Sequence, residues 1–168
     1  MDAKYASFFY LASIGEIEVV RKFIAQGVDV NFKDCDGNAA IHKVAEANRI
    51  EVMKLLLENG VDINAVNGSG NTALHVAILS NSLECVEVLL KNKIKVNRLN
   101  NEMCSEFLCA MQAESIANIN AEELNSRRKI IELLINEENI DLRCTSSDAR
   151  KIFDGGRNYL IYAIQNGY

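Results

Sequence analysis

Apolar residues return along this chain in paired bursts at helical spacing. Ile41, Val44 and Ala45 share one face of a short helix, and after a polar break Ile50, Met53, Leu56 and Leu57 mark a second. The same pair recurs at Leu74–Ile78 and Leu83–Leu90. After the second helix Gly60 offers a residue able to take positive φ, and Val61-Asp62-Ile63-Asn64 turns the chain outward. The pattern therefore predicts a unit of helix, tight turn, helix and glycine-containing loop.

The unit repeats with a period of 33 residues, since residues 34–66 and 67–99 coincide at Gly37/Gly70, His42/His75, Leu56/Leu89 and Asn64/Asn97. A first unit over 1–33 shares Ile17-Glu18-Val19, Gly27-Val28-Asp29 and Asn31 with the second, but it lacks the turn-forming segment and has Phe8 and Phe9 in place of Ile41 and His42. Such a departure is expected of a capping repeat. A fourth unit over 100–145 places Glu106–Met111 in the first helix and Ile130–Arg143 in the second helix and exit loop, with Leu142 at the position of Val96. Asn97 to Arg143 spans 46 residues, so 13 are inserted, mostly between the helices at 114–126. Asn120 followed by Glu123 reads as a capping box, which starts the second helix near Ala121 and lengthens it by about two turns. A fifth unit over 146–168 matches Gly156 to Gly70 and Ala163 to Ala77, then stops before its second helix. Leu160, Ile161 and Ile164 would then lack a cover. The expectation is one repeat domain over 1–168, itself a fragment of a longer protein; the alternative is a genuine C-terminus packed on unit four.

The segments Gly70–His75, Leu83–Leu90 and Val96-Asn97 resemble the ankyrin-repeat family, whose 33-residue unit opens its first helix with Gly-x-Thr-Pro-Leu-His and exits through Val-Asn. The resemblance covers about residues 5–168 and is strongest in units one to three. It implies an all-α solenoid of stacked helix-turn-helix units with β-turn loop fingers. It also implies structural roles for His42, Thr72 and His75, whose side chains would hydrogen-bond backbone around the turn and staple one unit to the next. A turn carries backbone donors and acceptors that need partners, and a capping side chain supplies them. Unit four departs from the family, with Met103, Ser105-Glu106 and Leu108 replacing Gly, Thr-Pro and His. An altered turn and a weak junction between units three and four are expected. Lys93 and Lys95, in place of the exit-loop Gly and Asp, add charge and backbone strain there.

The same resemblance places partner contacts on the loop tips and first-helix ends. These are Lys33, Cys35, Asp36, Asn38 and Glu46 in unit two, then Val66, Ser69, Asn71, Leu79 and Ser80 in unit three, and Leu99, Asn101, Glu102, Cys104 and Gln112 in unit four. These positions vary while the frame repeats, as suits recognition; relaxed constraint on solvated loops gives the same pattern. Leu79, apolar where Glu46 stands one unit earlier, is the best anchor, the alternative being packing against the next unit. Asn31, Asn64 and Asn97 match loop asparagines that can be hydroxylated in this family.

Composition narrows the function classes. The net charge of −5 argues against a phosphate-binding surface. The one basic cluster, Arg127-Arg128-Lys129, reads as a solvated helix face, so no nucleic-acid partner is expected. No apolar run approaches the roughly 20 residues of a membrane span, and no charged segment followed by an apolar one opens the chain. Cys35, Cys85, Cys104, Cys109 and Cys144 form no C-x-x-C pair, so reduced thiols without metal or cofactor are expected, with Cys85 a small core residue. Both histidines occupy one structural place, leaving no base for a nucleophile, and Glu122-Glu123 and Glu137-Glu138 are adjacent pairs that diverge on a helix. No catalytic residue is assigned. The leading expectation is a monomeric, cytoplasmic scaffold that binds a protein partner. Alternatives are a substrate-targeting or autoregulatory domain of an enzyme whose catalytic part follows Tyr168, or an effector secreted into a host cytosol by an intracellular bacterium, for which the Asn- and Ile-rich composition is the only support.

Overall fold

Helices of seven or nine residues are too short to hold in water by themselves, so they persist only where stacking buries a face. The computed structural model describes residues 3–114 and 120–138, and over these the expected stack is found. Unit five, Leu142, Arg143 and Cys144 lie outside the described residues, as do residues 115–119 of the insertion. Eight helices follow in order among the described residues: α1 Ala3–Ile14, α2 Ile17–Ala25, α3 Ala40–Glu46, α4 Ile50–Glu58, α5 Ala73–Leu79, α6 Leu83–Lys91, α7 Glu106–Glu114 and α8 Ala121–Ile135. The first helices pack side by side as α1, α3, α5 and α7, and the second helices form a parallel row of α2, α4, α6 and α8. Ala40, Val44, Leu56, Leu74, Ala77, Cys85 and Leu89 are fully buried between the rows.

The turn between helices repeats with the same period. Gly15, Asn48 and Asn81 all take left-handed φ, at +92°, +53° and +55°, and asparagine tolerates that region better than most residues. Asn48 also serves the next unit, its Oδ1 accepting the Cys85 amide hydrogen at the start of α6. Unit one is closed by aromatics in place of a histidine staple: Tyr5 stacks on Phe32 at 3.8 Å between centroids, and Phe8 lies buried beside Phe23.

Unit four keeps the frame more faithfully than its sequence suggests. Met103 takes the left-handed φ of +59° that Gly37 and Gly70 adopt at +75° and +74°, at a cost of about 1–2 kcal/mol for a side chain with a Cβ. The turn survives because Asn100 Oδ1 accepts the amide hydrogens of both Glu102 and Cys104, while Met103 N–H donates to the Asn100 carbonyl. The altered turn expected here is therefore absent. Lys93 does take a strained φ of +57°.

The insertion acts on the helices. α8 starts at Ala121 with Asn120 Oδ1 accepting the Glu123 amide hydrogen at 2.8 Å, and runs 15 residues against nine in α6. α7 continues to Glu114, two residues past the position where α3 and α5 stop. Arg127 corrects the reading of a solvated basic cluster. It is only 7% exposed, because it shares the inward face of α8 with Ile130, Ile131 and Leu134, and its Nη2 donates to Glu123 Oε1 at 3.0 Å. Arg128 and Lys129 are exposed.

Burial also sorts the cysteines. Cys35 is exposed, whereas Cys85, Cys104 and Cys109 are buried free thiols. Burial pushes the Cys85 thiol up to about 12, and burial with Cys104 nearby does the same to Cys109. Since the thiolate is the reactive form, iodoacetamide on the folded chain is expected to modify Cys35 first and Cys85 and Cys109 only after unfolding. Mass mapping of the labelled peptides checks this, and equal labelling would contradict the packing.

Candidate concave recognition face

Each loop finger is built around one short polar side chain. Asp34 Oδ1 accepts the amide hydrogens of Asp36 and Asn38, and Asn67 Oδ1 accepts those of Ser69 and Asn71. Asn100 repeats the pattern in unit four. These three residues, 33 apart, escape notice beside the glycines; their signal in the sequence is an Asx-turn residue three positions before Gly37, Gly70 and Met103.

The fingers are laced together. Gly68 N–H donates to the Asp36 carbonyl at 2.9 Å and Asn67 Nδ2 to Asn38 Oδ1, also at 2.9 Å. One unit on, Asn101 N–H donates to the Ser69 carbonyl, Asn101 Nδ2 to the Gly68 carbonyl and Asn100 Nδ2 to Asn71 Oδ1. The junction of units three and four is thus hydrogen-bonded as fully as its neighbour, contrary to the expected soft point. Gly68 has no room for a side chain, since a Cβ would stand 2.6 Å from the Asp36 carbonyl oxygen.

Both histidines bond backbone across the turn. His42 Nδ1 accepts the Ala39 amide hydrogen and Nε2 donates to the Ala65 carbonyl at 3.1 Å. In unit three the Thr72 hydroxyl donates to His75 Nδ1 at 2.8 Å, and His75 Nε2 donates to the Cys104 carbonyl at 3.2 Å. Thr72 also caps α5 by accepting the His75 amide hydrogen. Burial lowers the pKa of both histidines, which matches neutral rings with one accepting nitrogen.

Glu106 stands where the family has its first-helix proline. Its carboxyl is fully buried, takes the Arg98 amide hydrogen on both oxygens at 3.1 Å, and lies 3.8 Å from His75 Nδ1. Burial raises its pKa to about 7 against the opposing pull of those backbone donors and the Arg98 charge. With burial favouring the neutral ring of His75 and the protonated form of Glu106, the pair is a packed polar contact.

Six of the fifteen expected contact residues share one groove. Ser69, Asn71, Leu79, Asn101, Glu102 and Gln112 line one groove of about 290 Å³, with Cys109 contributing to its wall. Leu79 is 46% exposed there, so it does not bury itself in the next unit. Cys35, Asp36, Glu46 and Ser80 are exposed but do not line this groove, and Asn38, also outside it, is half-buried on Asn67. Lys33, Val66 and Leu99 stand outside the groove: Lys33 Nζ is tied to the Val66 carbonyl, Val66 bridges Thr72, and Leu99 is 45% exposed. Cys104 corrects the assignment, being 5% exposed. Its carbonyl is held by His75 and its Sγ lies 3.8 Å from Gln112 Oε1, beneath the surface.

Among the described residues no group of three His, Cys, Asp or Glu side chains gathers as a metal site requires, and no helix is long and apolar enough to cross a membrane.

A stack of 33-residue helical pairs, joined by Asx-turn fingers and histidine staples, defines a repeat solenoid. The family model for ankyrin repeats, in three copies, matches residues 8–100, and the chain belongs to the ankyrin-repeat family. Helices α7 and α8 continue the stack beyond the matched residues. Ankyrin repeats are general protein-interaction modules and are typically non-catalytic. The comparison with curated proteins finds no match.

Proposed function

We propose that this chain is a recognition module that holds a protein partner in the concave groove between the fingers of units three and four. The observation that carries the reading is the convergence of Ser69, Asn71, Leu79, Asn101, Glu102 and Gln112 on one groove around an exposed leucine. Groups of this kind suit recognition: an apolar anchor fixes the partner and surrounding amides select it. The frame supports such use, since each finger is braced by its neighbour and little ordering entropy remains to be lost on binding.

The test is capture from lysate by the intact chain and by a variant carrying Asp36→Arg, Ser69→Arg and Leu79→Arg, with circular dichroism confirming that both fold. These three side chains are exposed and make no hydrogen bond that the fold relies on. A partner held by the unchanged chain and lost by the variant is the expected result. Equal capture by both would place the contact elsewhere, the insertion between α7 and α8 being the next place to probe.

A further inference from the structure

The 33-residue period lines up side chains in two rows along the groove. One row, at the finger tips, is Asp36, Ser69 and Glu102; the other, at the last residue of α3, of α5 and its equivalent in α7, is Glu46, Leu79 and Gln112. The rows are physically continuous, because Gly68 N–H bonds the Asp36 carbonyl and Asn101 N–H bonds the Ser69 carbonyl, while α5 packs between α3 and α7. Leu79 therefore sits centrally, with carboxylates one unit away on both sides: Asp36 and Glu46 before it, Glu102 after it.

All three carboxylates are exposed, and among the described residues none makes an ion pair. The nearby cations are engaged elsewhere, Lys33 on the Val66 carbonyl and Lys43 with Asp34 at 3.6 Å. An apolar anchor in a 290 Å³ groove lined by Glu102, with Asp36 and Glu46 exposed one unit before it and outside the groove itself, calls for a partner of opposite pattern.

Resting on the reading of this groove as the recognition site, we infer that its occupant is an extended protein segment with one large apolar side chain flanked on both sides by Lys or Arg. The apolar side chain lies on Leu79 and the flanking cations meet Asp36 and Glu46 on one side and Glu102 on the other. Adjacent helices stand about 8–10 Å apart and an extended chain advances about 3.3 Å per residue, so each cation falls roughly three residues from the anchor. Acidic segments are repelled from the same groove, which makes the charges a filter as well as an attraction.

A random twelve-residue peptide library displayed on phage, panned against the full chain, tests this. Enrichment of peptides with an apolar residue between basic ones is expected. Resynthesised winners should lose about tenfold in affinity on a variant carrying Asp36→Lys, Glu46→Lys and Glu102→Lys, and should weaken as salt is raised. Asp36→Asn with Glu46→Gln and Glu102→Gln, which removes charge without reversing it, should show a smaller loss in the same direction and guards against misfolding of the reversed variant. Enrichment of acidic or uncharged peptides, no enrichment at all, or equal affinity for the charge variants would overturn the inference. Peptides that bind the charge variants unchanged but fail on Leu79→Arg would remove the basic-segment requirement while leaving the groove as the docking site.

Discussion

Leu89→Ala is expected to cost about 2–5 kcal/mol of stability, while Leu79→Ala, ten residues earlier in the same unit, costs less than about 0.5 kcal/mol. The two leucines are chemically identical, and burial alone separates them. Leu89 is wholly buried on α6, between the packed rows and among helices that cannot easily move inward, so its removal leaves a void. Leu79 is 46% exposed at the end of α5, and its truncation leaves only a shallower groove. Urea unfolding followed by circular dichroism compares them. Equal destabilisation would mean that Leu79 is a core residue, and the assignment of the concave groove as a free surface would fall with it.

The second large effect concerns pH. Glu106 has a folded-state pKa of about 7, raised by burial from the ordinary value of 4.5. Between those values the folded chain holds a proton that the unfolded chain has released, so this group's contribution is full below pH 4.5 and is lost as pH rises through 7. The span corresponds to about 3 kcal/mol. His42 and His75 act in the opposite sense: their lowered pKa values give stability that is present above 6.5 and is lost as pH falls below it. Glu106→Gln keeps the shape and cannot ionise. Its stability relative to the unchanged chain is therefore expected to improve by about 3 kcal/mol between pH 4.5 and pH 8. Subtracting the two denaturation profiles largely removes the histidine contributions common to both. A flat difference would show that Glu106 titrates normally and that its carboxyl reaches solvent.

Much of this was legible along the chain because it depends on neighbours in sequence. Helix pairs at Ile41–Leu57 and Leu74–Leu90 follow from apolar spacing, and the start of α8 follows from Asn120 and Glu123, a capping contact made within one turn. The roles of His42 and His75 are what the family resemblance implies, and the local part of it is plain in unit three, where Thr72 and His75 stand three residues apart at a helix start. Six of the groove residues stand among the contact positions that the family resemblance implies, and they vary on a repeating frame.

What escaped depends on the neighbouring unit. Nothing in Met103 announces left-handed backbone; it is held there because Asn100 accepts two amide hydrogens and the finger of unit three fixes Asn101. Cys104 occupies a variable position yet lies beneath the surface, since His75 from the preceding unit fastens its carbonyl. Glu106 becomes a buried carboxyl only when Arg98 and His75 close over it, and Arg127 turns inward only when α8 packs on α6 and α7. The period, the helix pairs and the start of α8 are settled within a few residues of chain, and so they can be read along it. Which polar groups are buried, which strained conformations are held and which side chains share the groove follow from the stack, because exposure and charge environment are properties of stacked units and not of any one of them.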